Sequence, residues 1–293
     1  MEYILMAVSI AFSVGSSCLL RDFGNKELTD KNGGIFLFNA YISVVWAIIL
    51  GAKWALSGAR LSGGGLVYGT VYGVILALFL LTKTKSLALG PVSLTTLIGS
   101  SAFIPTVIFG VVYAHDGINA VKVIGMALLL VSLILCINPK KSGEKLTAKW
   151  FLTAFLFFVA GGAVGIFYRV FGLSAFSGET DGVMMTASIV SAVLFAATAF
   201  ILNCAKKEPL PRVTKGALFY VVFCGIMSAV YQRLNLSLSG VIPGVIFFPV
   251  SNGSMVILSA VSGRIFFGEK LKKVQLFGII LGLIAIVTSG LDK

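Results

Sequence analysis

Long apolar runs broken by short polar segments account for almost the whole chain. A helix needs about 20 mostly apolar residues to cross about 30 Å of hydrocarbon. Ten windows fit that template, at 3–20, 34–53, 65–84, 91–113, 118–137, 149–171, 182–203, 214–234, 241–265 and 272–290. The pattern predicts an all-α polytopic membrane protein with ten transmembrane helices. The longer breaks, 21–33 and 172–181, follow the first and sixth spans, and no room remains for an extramembrane domain. Lys83, Lys85 and Gly90-Pro91 mark the break between spans three and four, as Gly240 and Pro243 do between eight and nine. The N-terminal run is apolar from its third residue and lacks the positive start and cleavage site of a signal peptide, so it reads as the first span.

One stretch is written twice. YAHDGINAVKVIGMALLLVSL (113–133) and FFGEKLKKVQLFGIILGLIAI (266–286) align without a gap. They share Val121 with Val274, Gly125 with Gly278, Leu128 with Leu281 and Leu130 with Leu283, with Asp116 and Glu269 at the same point. RDFG, starting at Arg21, and RVFG, starting at Arg169, close the first and sixth spans, and Gly90 and Gly240 open the fourth and ninth. The shared order predicts a first five-helix repeat over 1–138, a polar linker over 139–148 and a second five-helix repeat over 149–293. An odd number of spans per repeat turns the second upside down. Basic residues agree: Arg264, Lys270, Lys272 and Lys273 follow span nine, whereas little beyond Lys122 follows span four. With Lys140, Lys141, Lys145 and Lys149 of the linker they mark the cytoplasmic face of a plasma-membrane protein, with both termini outside.

Composition narrows the function. Of 293 residues 58% are hydrophobic and 12% charged, with a net charge of +12 and a mean hydropathy of +1.01. Soluble domains carry about 25% charged residues. The basic excess sits in loops between spans, which assigns it to orientation rather than to nucleic acid. Cys18, Cys136, Cys204 and Cys224 lie in or beside apolar runs with no CxxC, and His115 cannot complete a metal site with them, so buried thiols are expected. No HExxH, GxSxG or Walker loop and no intramembrane pair of aspartates is present, which weighs against an enzyme. No cofactor or metal is expected. Without an ATP site, transport would run on a gradient, with a proton or another ion as the coupling partner. The chain is expected as a monomer or homodimer.

Inverted repeats put a substrate site at the midplane, where the halves meet. The candidates are therefore polar residues inside spans: Ser13, Ser17, Asn39, Tyr41, Trp46, Tyr72, Thr95 and Ser100 in the first half, and Tyr168, Arg169, Ser188, Tyr231, Gln232 and Asn252 in the second. Asn39, Asn252 and Gln232 are costlier to bury than a hydroxyl, which can bond its own helix. Arg169 and Arg233 lie near span ends, where they either snorkel to the interface or form a positive rim for a substrate. Asp116 and Glu269 each precede a helical run and read as carboxylates capping its first turn.

The run FFGEKLKKVQLFGIILGLIAIV resembles the GE(R/K)L…Q…G signature that closes each repeat of EamA-type members of the drug/metabolite transporter superfamily. SLALGPVSLTTLIGSSAFIPTVIFG is similar to the family's first-half pattern of a Gly-Pro break and a polar helix with a central proline, here Pro105. The resemblance implies a cavity lined by spans 1, 3, 4, 6, 8 and 9 and alternating access by rocking of the halves. It departs where His115 and Asp116 stand for Gly and Glu, and where Met255 stands for a proline. The first span lacks the embedded glutamate of small multidrug resistance relatives, which argues against proton-coupled export of lipophilic cations. The expected cargo is a small neutral, zwitterionic or anionic metabolite such as an amino acid or sugar. The alternatives are a multidrug exporter and a flippase-like carrier of an anionic lipid, the latter with Arg169 and Arg233 facing a lateral opening.

Overall fold

The computed structural model describes residues 1–26, 34–58, 60–89, 95, 98–136, 147–206, 215–267 and 272–290. Glu269, Gly90-Pro91 and most of the linker lie outside them. Among the described residues the α-helices with defined bounds are, in order, α1 (Glu2–Lys26), α2 (Gly34–Ser57), α3 (Gly63–Leu89), α4 (Phe103–Val112), α5 (Ala120–Cys136), α6 (Ala148–Gly172), α7 (Thr180–Lys206), α8 (Lys215–Leu238), α9 (Gly244–Phe267) and α10 (Lys273–Gly290). Among the described residues there is no strand. Six helices, α1, α2, α3, α6, α7 and α8, are long and apolar enough to cross a membrane. The apolar segments Ile98–Val112, Ala120–Leu135, Gly244–Leu258 and Lys273–Ile286 are shorter.

Local chemistry sets the helix ends. Thr147 caps α6, its side chain accepting from Trp150 N at 3.2 Å. Asn119 does the same for α5, with Lys122 N at 2.9 Å from Oδ1. Before α10, Gln275 Oε1 accepts from Lys272 N at 3.0 Å, half of a capping box. Within the helices, hydroxyls are returned to the preceding turn, as Thr70 to Leu66 O at 2.9 Å and Thr198 to Leu194 O at 2.7 Å.

Apolar side chains cover the outside as well as the core. On α6, Phe151, Leu152, Phe155 and Leu156 are exposed while Trp150, Ala154 and Phe157 are buried, and on α3 Val67, Val71, Val74 and Leu78 are exposed while Tyr72 and Leu76 are buried. Such a surface suits lipid rather than water. Association of helices in lipid depends on close packing. Accordingly α3 meets α7 through Gly69 and Gly73, where a Cβ would lie 2.6 Å from Thr186 Cβ and 2.7 Å from Ala187 O. α4 meets α6 at Gly161, Gly162 and Gly165, which face Ala102, Pro105 and Thr106.

α2 packs along α7, α5 along α10, α1 along α8, and α3 along both α6 and α7, while α9 touches α1, α4, α5 and α10. The connections α2–α3, α4–α5, α6–α7 and α8–α9 meet at one face through direct side-chain contacts. At the opposite end of α6, Trp150 Nε1 donates to Thr95 Oγ1 at 3.0 Å. The expectation of buried thiols divides: Cys224 is buried, Cys18 half-buried and Cys204 exposed, and the Cys136 side chain lies outside the described residues.

Candidate functional site

A cavity of about 190 Å³ lies inside the bundle. It is lined by Ser9, Ile10, Ser13 and Ser17 of α1, Phe79 and Lys83 of α3, residues between Thr95 and Thr106 including Ser100, Phe157 to Tyr168 of α6, Tyr231, Gln232 and Asn235 of α8, and Phe247 to Met255 of α9. Helical spacing explains the polar stripe: Ser9, Ser13 and Ser17 recur one turn apart on α1, as do Tyr231 and Asn235 on α8. Hydroxyls and amides alternate with aromatic walls at Phe79, Phe103, Phe157, Phe247 and Phe248. Among the described residues that line it, Lys83 is the one charged group and there is no carboxylate.

Hydrogen bonds tie the walls together. Ser9 Oγ donates to Asn235 Oδ1 at 2.6 Å and lies 3.2 Å from Tyr231 O. Behind the wall Ser16 and Ser228 pair at 2.8 Å, a further bond between α1 and α8. Ser13 Oγ donates to Met255 Sδ at 3.1 Å. The end away from the linker is closed by Tyr72 OH, 2.8 Å from Tyr168 OH, which in turn donates to Gln232 Oε1. Asn252 Nδ2 returns to Phe248 O at 2.9 Å. Ser251 Oγ has no partner among the described residues.

Directly beyond that floor the chain changes character. Arg169, next to Tyr168, is 6% exposed and pairs with the buried carboxylate of Asp116 from the α4–α5 connection. Its second arm donates to Ser239 O at 2.9 Å, and Ser239 Oγ donates to Tyr168 O at 3.0 Å. Asp116 Oδ2 also accepts from Gly244 N at 2.8 Å. The carboxylate therefore caps α9 and not its own α5, which Asn119 caps. His115 stands at φ 53°, the left-handed turn that returns Asp116 N to Gly110 O at 3.0 Å, a conformation that a glycine would adopt without strain. Nearby Gly172 and Gly240 approach so closely that a Cβ on Gly172 would lie 2.5 Å from Gly240 Cα. Around the same face Asp181 bridges Lys53, at 3.0 Å, and Arg233, and Glu179 accepts from Ser62 N at 2.9 Å.

Of the candidates named from sequence, Ser13, Ser17, Thr95, Ser100, Tyr168, Tyr231, Gln232 and Asn252 come together in the cavity. Tyr72 backs it through Tyr168. Arg169 neither snorkels nor lines the cavity, being held by Asp116 and Ser239. Asn39 and Trp46 are buried elsewhere on α2, with Asn39 Nδ2 and Trp46 Nε1 lacking a partner among the described residues. Tyr41 is 39% exposed on the outer surface, and Ser188 returns its hydroxyl to Met185 O at 2.7 Å. Absent from the candidates are Lys83 and Asn235, in stretches that the sequence reads as span breaks. Their signal was the one-turn spacing that puts Lys83 with Phe79 and Asn235 with Tyr231.

No protein-family model and no curated protein matches the chain. A solved structure described only as the crystal structure of a protein is similar over 99% of this chain and 96% of its own, with a TM-score of 0.79 and 13% identity. That likeness extends to the fold alone.

Proposed function

We propose that the chain is a secondary transporter of the drug/metabolite transporter type. Its ten helices form two inverted repeats that move a small neutral, zwitterionic or anionic metabolite across the plasma membrane by alternating access. The observation that carries this reading is the polar cavity built from helices of both halves, with hydroxyls, amides and one lysine but no carboxylate among its lining residues. The packing supports the repeat. Exchanging the halves turns α1–α8 into α6–α3 and α1–α9 into α6–α4, while α2–α7, α4–α9 and α5–α10 map onto themselves, and all of these pairs occur. Ser43 and Ser191, separated by 148 residues, meet at 3.2 Å, as equivalent positions beside a two-fold axis do. Alternating access is supported by the contrast between the clasped connections at one face and the cavity on the linker side of the Tyr72–Tyr168 floor.

The size of the cavity, about 190 Å³, is below the roughly 300–1,000 Å³ of sites for drug-sized ligands, which favours a metabolite over bulky drugs. The lipid-carrier alternative draws on an apolar crevice of about 380 Å³ between α3 and α6, lined by Val67, Val71, Ile166 and Phe167 among others. Arg169 and Arg233, which that alternative needs free, are both engaged by aspartates.

Thermal unfolding of the purified protein against amino acids, sugars and organic acids tests the transporter reading. A ligand at 100 times its Kd stabilises by about 2.7 kcal/mol. Asn252→Ala is expected to weaken that response and transport, whereas Asn39→Ala, outside the cavity, leaves both intact. The sequence alone gives the two asparagines equal standing. Equal loss in both variants, or no response to any compound, removes the cavity as the substrate site.

A further inference from the structure

Lys83, the last residue of the apolar span Gly63–Lys83, lines the cavity wall. An ammonium beside a membrane-spanning segment and turned to a cavity is ordinarily paired. Of the acids whose side chains are described, Asp116 is committed to Arg169, Asp181 to Lys53 and Arg233, and Glu179 to Ser62. Glu2, exposed at the start of α1, is the other acid whose side chain is described. Among the described residues, no carboxylate pairs with Lys83, and it lines a cavity that contains no other charge. Phe79, one turn earlier on the same helix, lines the same wall.

We infer that Lys83 is the counter-charge for one carboxylate group of the transported molecule, an inference that rests on the transporter reading above. A single fixed positive charge in a low-dielectric space favours a ligand bringing one negative charge; a dianion would leave one charge uncompensated, and a neutral ligand would leave the lysine so. Ser251, whose hydroxyl is unpartnered, and Ser100 supply further polar groups in the same cavity. Phe247 and Phe248 offer an apolar wall to the rest of the molecule. The ligand class is therefore a compact acid with one carboxylate and an uncharged or zwitterionic body. Lys83 is the residue that selects it against the corresponding amide.

The test compares thermal unfolding midpoints of the purified full chain with alanine, leucine, lactate and benzoate against alaninamide, leucinamide, lactamide and benzamide. At least one acid is expected to raise the midpoint where its amide does not; lactate and benzoate report a simple anion, alanine and leucine a zwitterion. Lys83→Met is expected to weaken that response at least about tenfold in half-saturating concentration, and Lys83→Arg to retain it, as loss of a charge-assisted hydrogen bond requires. Acids and amides acting equally, or Lys83→Met responding as the parent does, overturn the inference. If sugars or amides bind and cross while acids do not, the transporter reading survives and the carboxylate assignment falls. If no compound of any class binds, both fall together.

Discussion

Tyr168 and Arg169 are neighbours on α6, yet they belong to two regions built on opposite terms. On the Arg169 side, most groups are paired with one another: Asp116 takes one guanidinium arm and the first N–H of α9, Ser239 takes the other arm, and Gly172 packs on Gly240, with only Arg169 Nε lacking a partner among the described residues. On the Tyr168 side, the space carries groups left over, among them the Ser251 hydroxyl and the Lys83 ammonium. A closed region spends its polar groups on itself, whereas a binding region keeps them for something that arrives. The two communicate through one backbone step, since Ser239 bonds the Tyr168 carbonyl while its own carbonyl holds Arg169. A ligand that shifts Tyr168 would thus bear directly on the clasp.

Breaking the clasp has the largest expected effect. Arg169→Met leaves Asp116 buried without its cation, at a cost of about 3–5 kcal/mol in unfolding free energy, and Asp116→Asn in the same chain should recover most of it. In that double variant, Ser9→Cys should be labelled faster by a membrane-impermeant maleimide added from the clasped face. Unchanged labelling would break the comparison, because the clasp would then hold the fold without closing the path. Next is the floor between the regions. Tyr168→Phe removes the hydroxyl joining Tyr72 to Gln232 and should cost about 1–3 kcal/mol in denaturant unfolding. A loss within measurement error would mean that the floor is held by ring packing, as in the Tyr72–Phe167 stack at 4.6 Å. The smallest effect is at the rim. Lys53→Met should cost about 0–1 kcal/mol, because Lys53 is 45% exposed and Asp181 keeps Arg233. A cost comparable to that of Arg169→Met would show that the clasp extends to the α2 end.

Asp116 illustrates how far the sequence could be read. An acid before an amphiphilic run points to a helix N-terminus, and a helix N-terminus is what Asp116 holds. The helix is α9, 128 residues away, because Asn119 already serves α5 and the left-handed turn at His115 aims the carboxylate across the bundle. Asn39 and Asn252 make the same point for the cavity. Both are amides inside apolar helices and indistinguishable by pattern, but α2 packs along α7 and α9 turns toward α1 and α4, so one amide is buried between helices and the other faces the cavity. Asn235 was hidden in a stretch that reads as a break, because the extent of α8 could not be judged from the apolar run alone.

The sequence by itself determined the helical class and the membrane-like surface, because about 20 apolar residues in a row have few other solutions. It also carried the duplicated pattern, since period and spacing are local properties of the chain. Only the tertiary structure decided which polar groups would be satisfied and which left open. That choice depends on partners brought from the other half of the chain: Arg169 is held by an aspartate from the first half, while among the described residues no acid lines the cavity that Lys83 lines.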